Sequence, residues 1–417
     1  MRYVKINVAP ACRNWQTRQT QNLLWATTCG FKSRRRQMLL KNGTVYINHE
    51  FIRCDLRSEG DVISEIASEL QPLDGEDVID LSSLRILPGL IDIHTHGAAG
   101  VDVNHATGED LEKMARFLST HGVTGFLMSI LTDTEEVMMR AIDAYHDWCA
   151  LPHRGAVLHG IHLEGPFLSA EYKGAMPPYL LQAPDIGLIR RCQERAQGAI
   201  RYITIAPELP GTIEMIPALK ELGICVALGH SAADYETACR AIAAGASAAT
   251  HTGNAMRLLH QREPAVFGAV LEAEDVFCEM ICDGLHLHPA TVRLIMKMKG
   301  PHRVIAVSDS IMATGLGDGT YRLGVNEVEV RNGDATLKQG GGRAGSTLTL
   351  DSALRNLMRF SGWPMEDLVM ALTENPVRLL HLMTGYGTIE PGKKADLTVL
   401  DDEGYVRMTI VNGERVF

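Results

Sequence analysis

Several features that the sequence lacks narrow what this chain can be. No apolar run among its 417 residues reaches about 18 residues, so we predict no membrane-spanning helix. Its nine cysteines are an odd number and include no Cys-x-x-Cys pair, which argues against a disulfide framework or a zinc site built from thiolates. We expect reduced, mostly buried thiols in a cytoplasmic protein.

Acidic residues are also missing from one part of the chain. Residues 1–37 contain eight Lys or Arg and no Asp or Glu, so they carry +8 of a net charge of −10 and leave −18 on the remainder. Residues 38–417 are too acidic to bind nucleic acid or anionic membranes, because binding to either requires a basic surface. We therefore predict neither as a partner.

The basic leader, residues 1–37, is interpreted separately. Its composition is typical of a mitochondrial transit peptide, and Arg34–Arg36 would suit a processing or nuclear address. However, the leader lacks clear apolar periodicity, and an alternating apolar and polar pattern starts only at Met38. We expect an over-extended start or a disordered tail, with folding beginning near Met38.

From residue 84 onward, short apolar runs alternate with segments of helical character. Eight such alternations over about 250 residues predict an α/β fold, a (β/α)8 TIM-like barrel. The apolar runs are 86–93, 125–130, 156–163, 202–206, 225–228, 248–251, 276–281 and 304–307.

Alternating segments with turn signals flank the predicted barrel at both ends. Asn42-Gly43 indicates a hairpin turn before it, and Asn412-Gly413 indicates another after it. Neither end has enough strands to bury a face alone, so we expect the two ends to pair into one small β-sandwich domain. The predicted domains are this split unit, residues 38–87 and 388–417, and a barrel of residues 88–387.

Polar side chains collect where the predicted barrel strands end. Barrel enzymes build their active sites at these carboxyl-terminal strand ends. Such side chains are costly to bury unpaired, so their joint placement indicates a site rather than packing. They follow six of the eight runs and are His94, His96, His162, Glu164, His230, His251, Asp283, His286 and Asp309.

This set of side chains suits a divalent metal. His94 and His96 are two apart on one strand, so both imidazoles can reach one ion. Imidazole with carboxylate favours Zn²⁺ or Fe²⁺ over Mg²⁺ or Ca²⁺, and a bridging carboxylate would allow a second ion. A divalent ion activates water and polarises a carbonyl, so hydrolysis is the predicted reaction class, with a carboxylate on the last strand exchanging the proton.

Longer motifs make the sequence resemble a known family. In chain order they are PGLIDIHTHG, HLEGPF, GHSAA, THTGNAM, HQREP, DGLHLHP, SDS, GRAGSTL and GTIEPGKKADLTVLD. They resemble the amidohydrolase superfamily and, within it, the N-acetylglucosamine-6-phosphate deacetylase family, from Met38 to the end of the chain. The resemblance implies a small-molecule substrate, an N-acetyl amino-sugar 6-phosphate, whose acetamide is hydrolysed to acetate and the amino-sugar phosphate. It also implies a homo-oligomer, a dimer or a tetramer.

The resemblance assigns metal ligands to individual positions. It implies that Glu164, His230 and His251 hold one ion. His94 and His96 match members of the family that hold a second ion, whereas members without this pair keep one.

Catalytic and substrate-binding roles follow in the same way. Asp309 matches the general acid and base, and His286 matches the group that binds substrate near the scissile carbonyl. The implied lining for the sugar phosphate is Ala175, Asn254, Ala255, Arg262, His286, Ala344, Gly345 and Ser346.

Three positions depart from the family pattern. Met176 stands in place of a His, Thr252-Gly253 in place of an apolar and an aromatic residue, and Ser310 in place of an Ala. None of them is an implied metal ligand, so we expect the chemistry to persist.

Three alternatives stay open at this point. N-acetylgalactosamine-6-phosphate deacetylases share most of the motifs, so the preferred epimer is not decided. Cyclic-amide hydrolases and ring deaminases belong to the same superfamily, but the former commonly use a carboxylated Lys where Glu164 stands here. A non-catalytic barrel that binds sugar phosphate as a sensor is the alternative from another class, although every ligand position is filled.

Overall fold

The computed structural model describes residues 37–417. The predicted leader therefore lies outside the described residues, except for Gln37, which begins the first strand. No helix in this described part of the chain is long and apolar enough to cross a membrane.

Eight parallel strands form the predicted barrel, and each overlaps one of the eight apolar runs. They pair in sequence order around the sheet. The barrel closes at its carboxyl-terminal end, where the N–H of Asp309 donates to the carbonyl of His94 at 2.9 Å and the N–H of His96 donates to that of Ser310 at 2.8 Å. The strands are β1 (Leu90–Thr95), β2 (Val123–Leu131), β3 (Val157–Glu164), β4 (Ile200–Ile205), β5 (Cys225–Leu228), β6 (Ala248–Ala249), β7 (Phe277–Ile281) and β8 (Val304–Val307).

A helix follows each barrel strand. The first begins with a capping box, in which Thr107 and Asp110 each accept a hydrogen bond from the other's backbone N–H. Its residues Leu111, Met114 and Leu118, spaced three and four apart, are buried. The helices are α1 (Gly108–Thr120), α2 (Glu135–Cys149), α3 (Ile186–Arg195), α4 (Thr212–Glu221), α5 (Tyr235–Ala244), α6 (Ala265–Glu272), α7 (Pro289–Lys299) and α8 (Leu350–Ser361), and the short helices Met365–Leu368 and Glu374–Leu379 come after them.

Two sheets form a β-sandwich at the ends of the described chain, as predicted, and the second of them combines strands from both ends. One contains Gln37–Lys41, Asp55–Glu59, Val62–Ala67 and Asp77–Asp80, and the other Thr44–Ile47, Glu50–Arg53, Arg85–Pro88, Leu397–Leu400, Val406–Val411 and Glu414–Arg415. The two ends of the chain pair directly, because Arg85–Pro88 runs antiparallel to Leu397–Leu400. Leu40 and Leu56 of the first sheet share one buried core with Ile86 and Val399 of the second.

The prediction that run 86–93 is one barrel strand is wrong. The chain divides at Gly89, so that Arg85–Pro88 belongs to the sandwich and β1 to the barrel. A Cβ at Gly89 would lie 1.9 Å from Oγ1 of Thr124, so the two strands meet at a glycine where the backbone is closely packed. Because both halves are buried, their apolar residues appear in the sequence as a single run.

The predicted hairpin at Asn42-Gly43 is also wrong. The strands on either side of it belong to different sheets. The N–H of Asn42 donates to Oδ1 of Asp55 at 2.8 Å, and the residue adopts a left-handed φ of 63°. Here the turn carries the chain from one layer of the sandwich to the other.

A three-stranded sheet lies beyond β8. Its strands are Gly319–Leu323, Asn326–Arg331 and Asp334–Leu337. Leu323 and Val328 pack with Met176 and Leu131 in a separate apolar cluster, which joins this sheet to the carboxyl-terminal end of the barrel.

Candidate active site

Two groups of buried side chains converge at the carboxyl-terminal end of the barrel. The first group is Glu164, His230 and His251, and the second is His94, His96 and Asp309. Within each group the possible ligand atoms all lie within 4.8 Å of one another. The structure therefore places together the five residues that the family resemblance implies as ligands, and adds Asp309 to the second group.

Glu164, the last residue of β3, faces both groups. Its Oε1 lies 3.1 Å from Nε2 of His230 and 3.1 Å from Nε2 of His251, and these two nitrogens are 3.0 Å apart. Its Oε2 lies 3.2 Å from Nε2 of His96. One carboxylate is thus placed to bridge the two groups.

The side chains of the second group are separated by slightly longer distances. Nε2 of His94 and Nε2 of His96 are 3.2 Å apart. Oδ1 of Asp309 lies 3.5 Å from the first of these nitrogens and 3.3 Å from the second. His94 lies in β1 and His96 comes two residues later, directly after the strand, so alternation along the extended chain puts both rings on the side that faces the barrel axis.

The outer ring nitrogens of His230 and His96 have fixed partners. Nδ1 of His230 lies 2.9 Å from the carbonyl of Tyr172, and Nδ1 of His96 lies 3.0 Å from the carbonyl of Ser129. A carbonyl can only accept, so each Nδ1 carries a proton and Nε2 is the nitrogen that faces the cluster, where it offers a lone pair when the ring is neutral. This is the arrangement of metal-binding histidines.

The charges of the site also fit a divalent metal. Burial would raise the pKa of Glu164, but His96, His94 and His230 outweigh burial and hold that pKa well below its usual value. Burial lowers the pKa of His96, but Glu164 and Asp309 outweigh it and raise that pKa to about 9. The two buried carboxylates thus require positive charge beside them, which protons on the rings or a divalent cation can supply.

Three of these residues have strained backbones. His230, His251 and Asp309 follow the ends of β5, β6 and β8 and have left-handed φ values of 47°, 29° and 49°. Such conformations cost about 1–3 kcal/mol each for residues other than glycine, and they concentrate at functional sites. The left-handed conformation turns each side chain away from its strand and toward the common centre.

One glycine allows a loop to cover His230. A Cβ at Gly174 would lie 2.8 Å from Cε1 of that ring, and Gly174 has a left-handed φ of 56°. The same loop supplies the Tyr172 carbonyl that holds Nδ1 of His230.

A cavity of about 370 Å³ opens above both groups. Ala175, Asn254, Ala255, His286 and Gly345, from the implied sugar-phosphate lining, all face it. So do five residues of the two groups: His96, Glu164, His230, His251 and Asp309.

Ala344 and Ser346 are buried beside the cavity rather than in its lining. Ala344 belongs to the apolar cluster of the three-stranded sheet. The hydroxyl of Ser346 donates to the carbonyl of Ser308 at 2.6 Å, and its N–H donates to the carbonyl of Asp309 at 2.7 Å. Ser346 therefore supports the segment that carries Asp309.

The structure places Arg262 at the surface, outside the cavity lining. Its guanidinium has no ion-pair partner within residues 37–417, and the neighbouring Glu263 pairs with Arg257 instead. Among the described residues that line the cavity, Arg343 is the only Lys or Arg. Arg343 pairs with Asp334 through Nε and Nη2 at 3.0 and 3.1 Å.

The comparisons with known proteins agree with this geometry. Residues 85–416 match the model of the amidohydrolase family. The chain belongs to the amidohydrolase family.

The relatives to which this amidohydrolase is similar include deacetylases of N-acetyl amino-sugar 6-phosphates. The chain is 36% identical to N-acetylglucosamine-6-phosphate deacetylase of Bacillus subtilis, over 80% of this chain and 84% of that protein. It is 33% identical to N-acetylgalactosamine-6-phosphate deacetylase of Escherichia coli O157:H7, over 79% of this chain and 87% of that protein. It also resembles the solved structure of a mutant N-acetyl-D-glucosamine-6-phosphate deacetylase from Mycobacterium smegmatis in complex with N-acetyl-D-glucosamine-6-phosphate. That match has a TM-score of 0.85 and 34% identity and covers 91% of this chain and 99% of that one.

His162 lies beneath the two groups of this amidohydrolase and belongs to neither. Its Nδ1 lies 2.9 Å from Oγ of Ser129 and its Nε2 lies 2.9 Å from Oγ1 of Thr204. Burial and then the neighbouring His94 lower the pKa of this ring well below its usual value. His162 is therefore a neutral hydrogen-bonding residue of the barrel interior.

Two departures from the family pattern have structural explanations. Met176 is 1% exposed and contributes to both the cavity wall and the apolar cluster. Ser310 shares a hydrogen bond of 2.7 Å with Oγ1 of Thr95 and donates to the carbonyl of Gly97, which links β1 to the segment after β8.

Proposed function

We propose that this amidohydrolase is a metal-dependent deacetylase that hydrolyses the acetamide of an N-acetyl amino-sugar 6-phosphate, N-acetylglucosamine 6-phosphate, to acetate and the amino-sugar phosphate. The observation that supports this most directly is the bridging position of Glu164, with Asp309 and His286 facing the same cavity. The free thiols of all seven described cysteines are compatible with a cytoplasmic enzyme.

The donor atoms define where metal would bind. Glu164, His230 and His251 would hold one ion, and His94 with His96 would hold a second beside Asp309. Imidazole and carboxylate donors favour Zn²⁺, and Fe²⁺ has similar preferences. A divalent ion at this site lowers the pKa of water and polarises the acetamide carbonyl.

Asp309 is assigned the proton transfers. Its carboxylate lies at the inner end of the cavity, after the last barrel strand. It accepts a proton from the attacking water and returns that proton to the nitrogen of the leaving amine. Its backbone N–H donates to the carbonyl of His94 and its carbonyl accepts from the N–H of Ser346, and these hydrogen bonds hold it in place.

His286 is assigned to the carbonyl oxygen. Asp283 occupies its Nδ1 at 2.6 Å, so Nε2 is the nitrogen left to face the cavity. With the carboxylate of Asp283 accepting from Nδ1–H, Nε2 donates only when the ring carries a proton on both nitrogens, and this imidazolium would stabilise the negative charge that develops on that oxygen.

The phosphate end of the substrate requires a cation, since the described part of the protein is acidic. Arg343 is placed to supply one from the same subunit. Its ion pair with Asp334 is partly exposed, and such pairs contribute little, so a phosphate dianion can compete for the guanidinium. Arg262 could reach a phosphate only through a second copy of the chain.

An apolar surface supports the predicted homo-oligomer. Leu258, Leu259, Leu294 and Met298 are 55–61% exposed and line one groove together with His286. Exposed apolar patches of this kind mark interaction surfaces. We propose that a second copy of the chain covers this groove.

Acetate release from N-acetylglucosamine 6-phosphate by the metal-loaded protein tests the function. The galactosamine epimer, assayed in parallel, decides between the two named activities. Binding of both sugars without acetate release would instead favour the non-catalytic barrel.

A further inference from the structure

A fully buried carboxylate lies behind the two groups of ligands. Glu279 is the central residue of β7 and is 0% exposed. Its Oε2 lies 3.1 Å from Nδ1 of His94 and accepts the backbone N–H of His251 at 3.0 Å. A single oxygen atom therefore contacts one residue from each group.

Packing alone does not explain a carboxylate at this position. The other residues of β7, including Cys278 and Met280, are apolar and buried, and a buried anion is costly unless it is paired. Within the described residues, the sole ion-pair partner of Glu279 is the imidazole of His94. Its other oxygen, Oε1, makes no hydrogen bond of standard geometry to a described residue, and the carboxylate lies close enough to the Tyr202 hydroxyl to add to the rise in pKa that burial causes in that group.

The contacts of Glu279 control geometry at the site. A carboxylate that accepts from Nδ1 of His94 keeps the proton on that nitrogen and leaves the lone pair of Nε2 facing His96 and Asp309. The second contact holds the backbone of His251 in its strained left-handed conformation. Both hydrogen bonds determine where the metal-donor atoms lie, and neither involves a group that reacts with substrate.

We propose that Glu279 is a positioning residue for metal binding, which orients His94 and His251 through the hydrogen bonds accepted by one carboxylate oxygen. This inference depends on the proposed function only in assuming that the protein binds a divalent metal. Because the test measures metal affinity, the inference would still hold for a protein that binds metal but does not deacetylate the sugar.

The test measures Zn²⁺ binding to the metal-free protein by competition with a chromophoric chelator. In Glu279→Met the hydrogen bonds are lost, and we expect Zn²⁺ affinity to fall about 10–100-fold, as for other residues that orient metal ligands. Because Glu279 contacts one ligand of each group, the loss is expected whether the wild type binds one ion or two. Glu279→Gln keeps an oxygen acceptor and is expected to restore most of the affinity.

Cys278→Ala provides the matched control, since it removes buried atoms from the opposite side of the same strand. It is expected to lower the melting temperature while leaving Zn²⁺ affinity unchanged. The proposal is overturned if folded Glu279→Met binds Zn²⁺ like the wild type. It is also overturned if Glu279→Gln loses as much affinity as Glu279→Met, because the contribution would then come from charge and not from orientation.

Discussion

Nδ1 of His286 lies 2.6 Å from Oδ2 of Asp283, while Oδ1 of the same carboxylate accepts the backbone N–H of His286 at 2.8 Å. Burial would raise the pKa of Asp283, but His286 outweighs burial and lowers it. The pair thus holds the imidazole in one orientation at the cavity wall. Asp283 lies two residues after the end of β7, so the rigid barrel determines where Nε2 of His286 points.

The first prediction concerns this ring. His286→Gln is expected to lower kcat about 10²–10³-fold, the usual effect of removing a donor to a developing oxyanion, with metal content unchanged. The measurement is steady-state acetate release with elemental analysis of the same sample. His288→Asn, in the next turn, is the control, because His288 caps α7 and an Asn can cap it as well. An undiminished kcat in His286→Gln would remove His286 from the mechanism.

The second prediction concerns Asp309. Asp309→Asn cannot accept and return the proton, so acetate release is expected to fall about 10²–10⁴-fold. Glu164, His230 and His251 are untouched, and elemental analysis should still find metal. The adjacent Ser310→Ala serves as the control and is expected to keep its turnover. Undiminished turnover in Asp309→Asn with intact metal would contradict the assigned role.

The third prediction concerns the phosphate. Arg343→Met is expected to raise KM for the sugar phosphate about 10–100-fold with little change in kcat, because it removes a charged hydrogen bond made before and during reaction alike. Turnover of the sugar without phosphate should not change. Arg331→Met, in the three-stranded sheet that contains Asp334, the ion-pair partner of Arg343, is the control. A KM that rises in Arg262→Met and not in Arg343→Met would place the phosphate at an interface between copies.

The fourth prediction concerns the apolar groove. Leu294→Glu together with Met298→Glu puts charges on the exposed face of α7 and is expected to convert an oligomer into monomers, measured by light scattering during gel filtration. Leu73→Glu, at a comparably exposed leucine of the sandwich, should leave the mass unchanged. A wild-type protein that is monomeric at all concentrations would contradict the proposed interface.

The fifth prediction concerns stability and pH. Burial raises the pKa of Asp396 from 3.8 to about 7, so between these pH values the folded protein holds a proton that the unfolded chain has lost. The stabilisation is complete below about pH 4 and is lost as pH rises toward 7, a difference of up to about 4 kcal/mol. Asp396→Asn cannot ionise, so relative to the wild type it is expected to gain stability with rising pH.

Urea denaturation of the wild type and Asp396→Asn between pH 5 and pH 8 measures this difference. Asp402→Asn, at an exposed carboxylate, is the control and should follow the wild type. Parallel curves for the wild type and Asp396→Asn would show that Asp396 has no such effect.

Much of the fold and part of the site could be predicted because they depend on local patterns. Buried strands of a parallel barrel are continuous apolar runs, so all eight appeared in the sequence. The residues that end those strands are adjacent to the runs, and this placed His94, Glu164, His230, His251 and Asp309 at one end of the barrel. The family resemblance added roles that spacing alone does not supply.

Other features depend on which segments meet in space. Gly89 separates two sheets within one apolar run, and Asn42-Gly43 joins two layers although it has the composition of a hairpin turn. Glu279 lies inside a strand, where a lone polar residue carries no signal until the rings of His94 and the backbone of His251 are seen around it.

The sequence by itself thus determined the barrel, the split sandwich strands and the residues available for metal chemistry, because these follow from periodicity and from the order of strand ends. Only the tertiary structure decided that Glu164 faces both groups, that Arg343 rather than Arg262 lines the cavity, and that Glu279 supports the ligands. The contacts of Glu164 and Glu279 join residues 28 to 185 positions apart in the chain, and closure of the barrel is what places their atoms about 3 Å from one another.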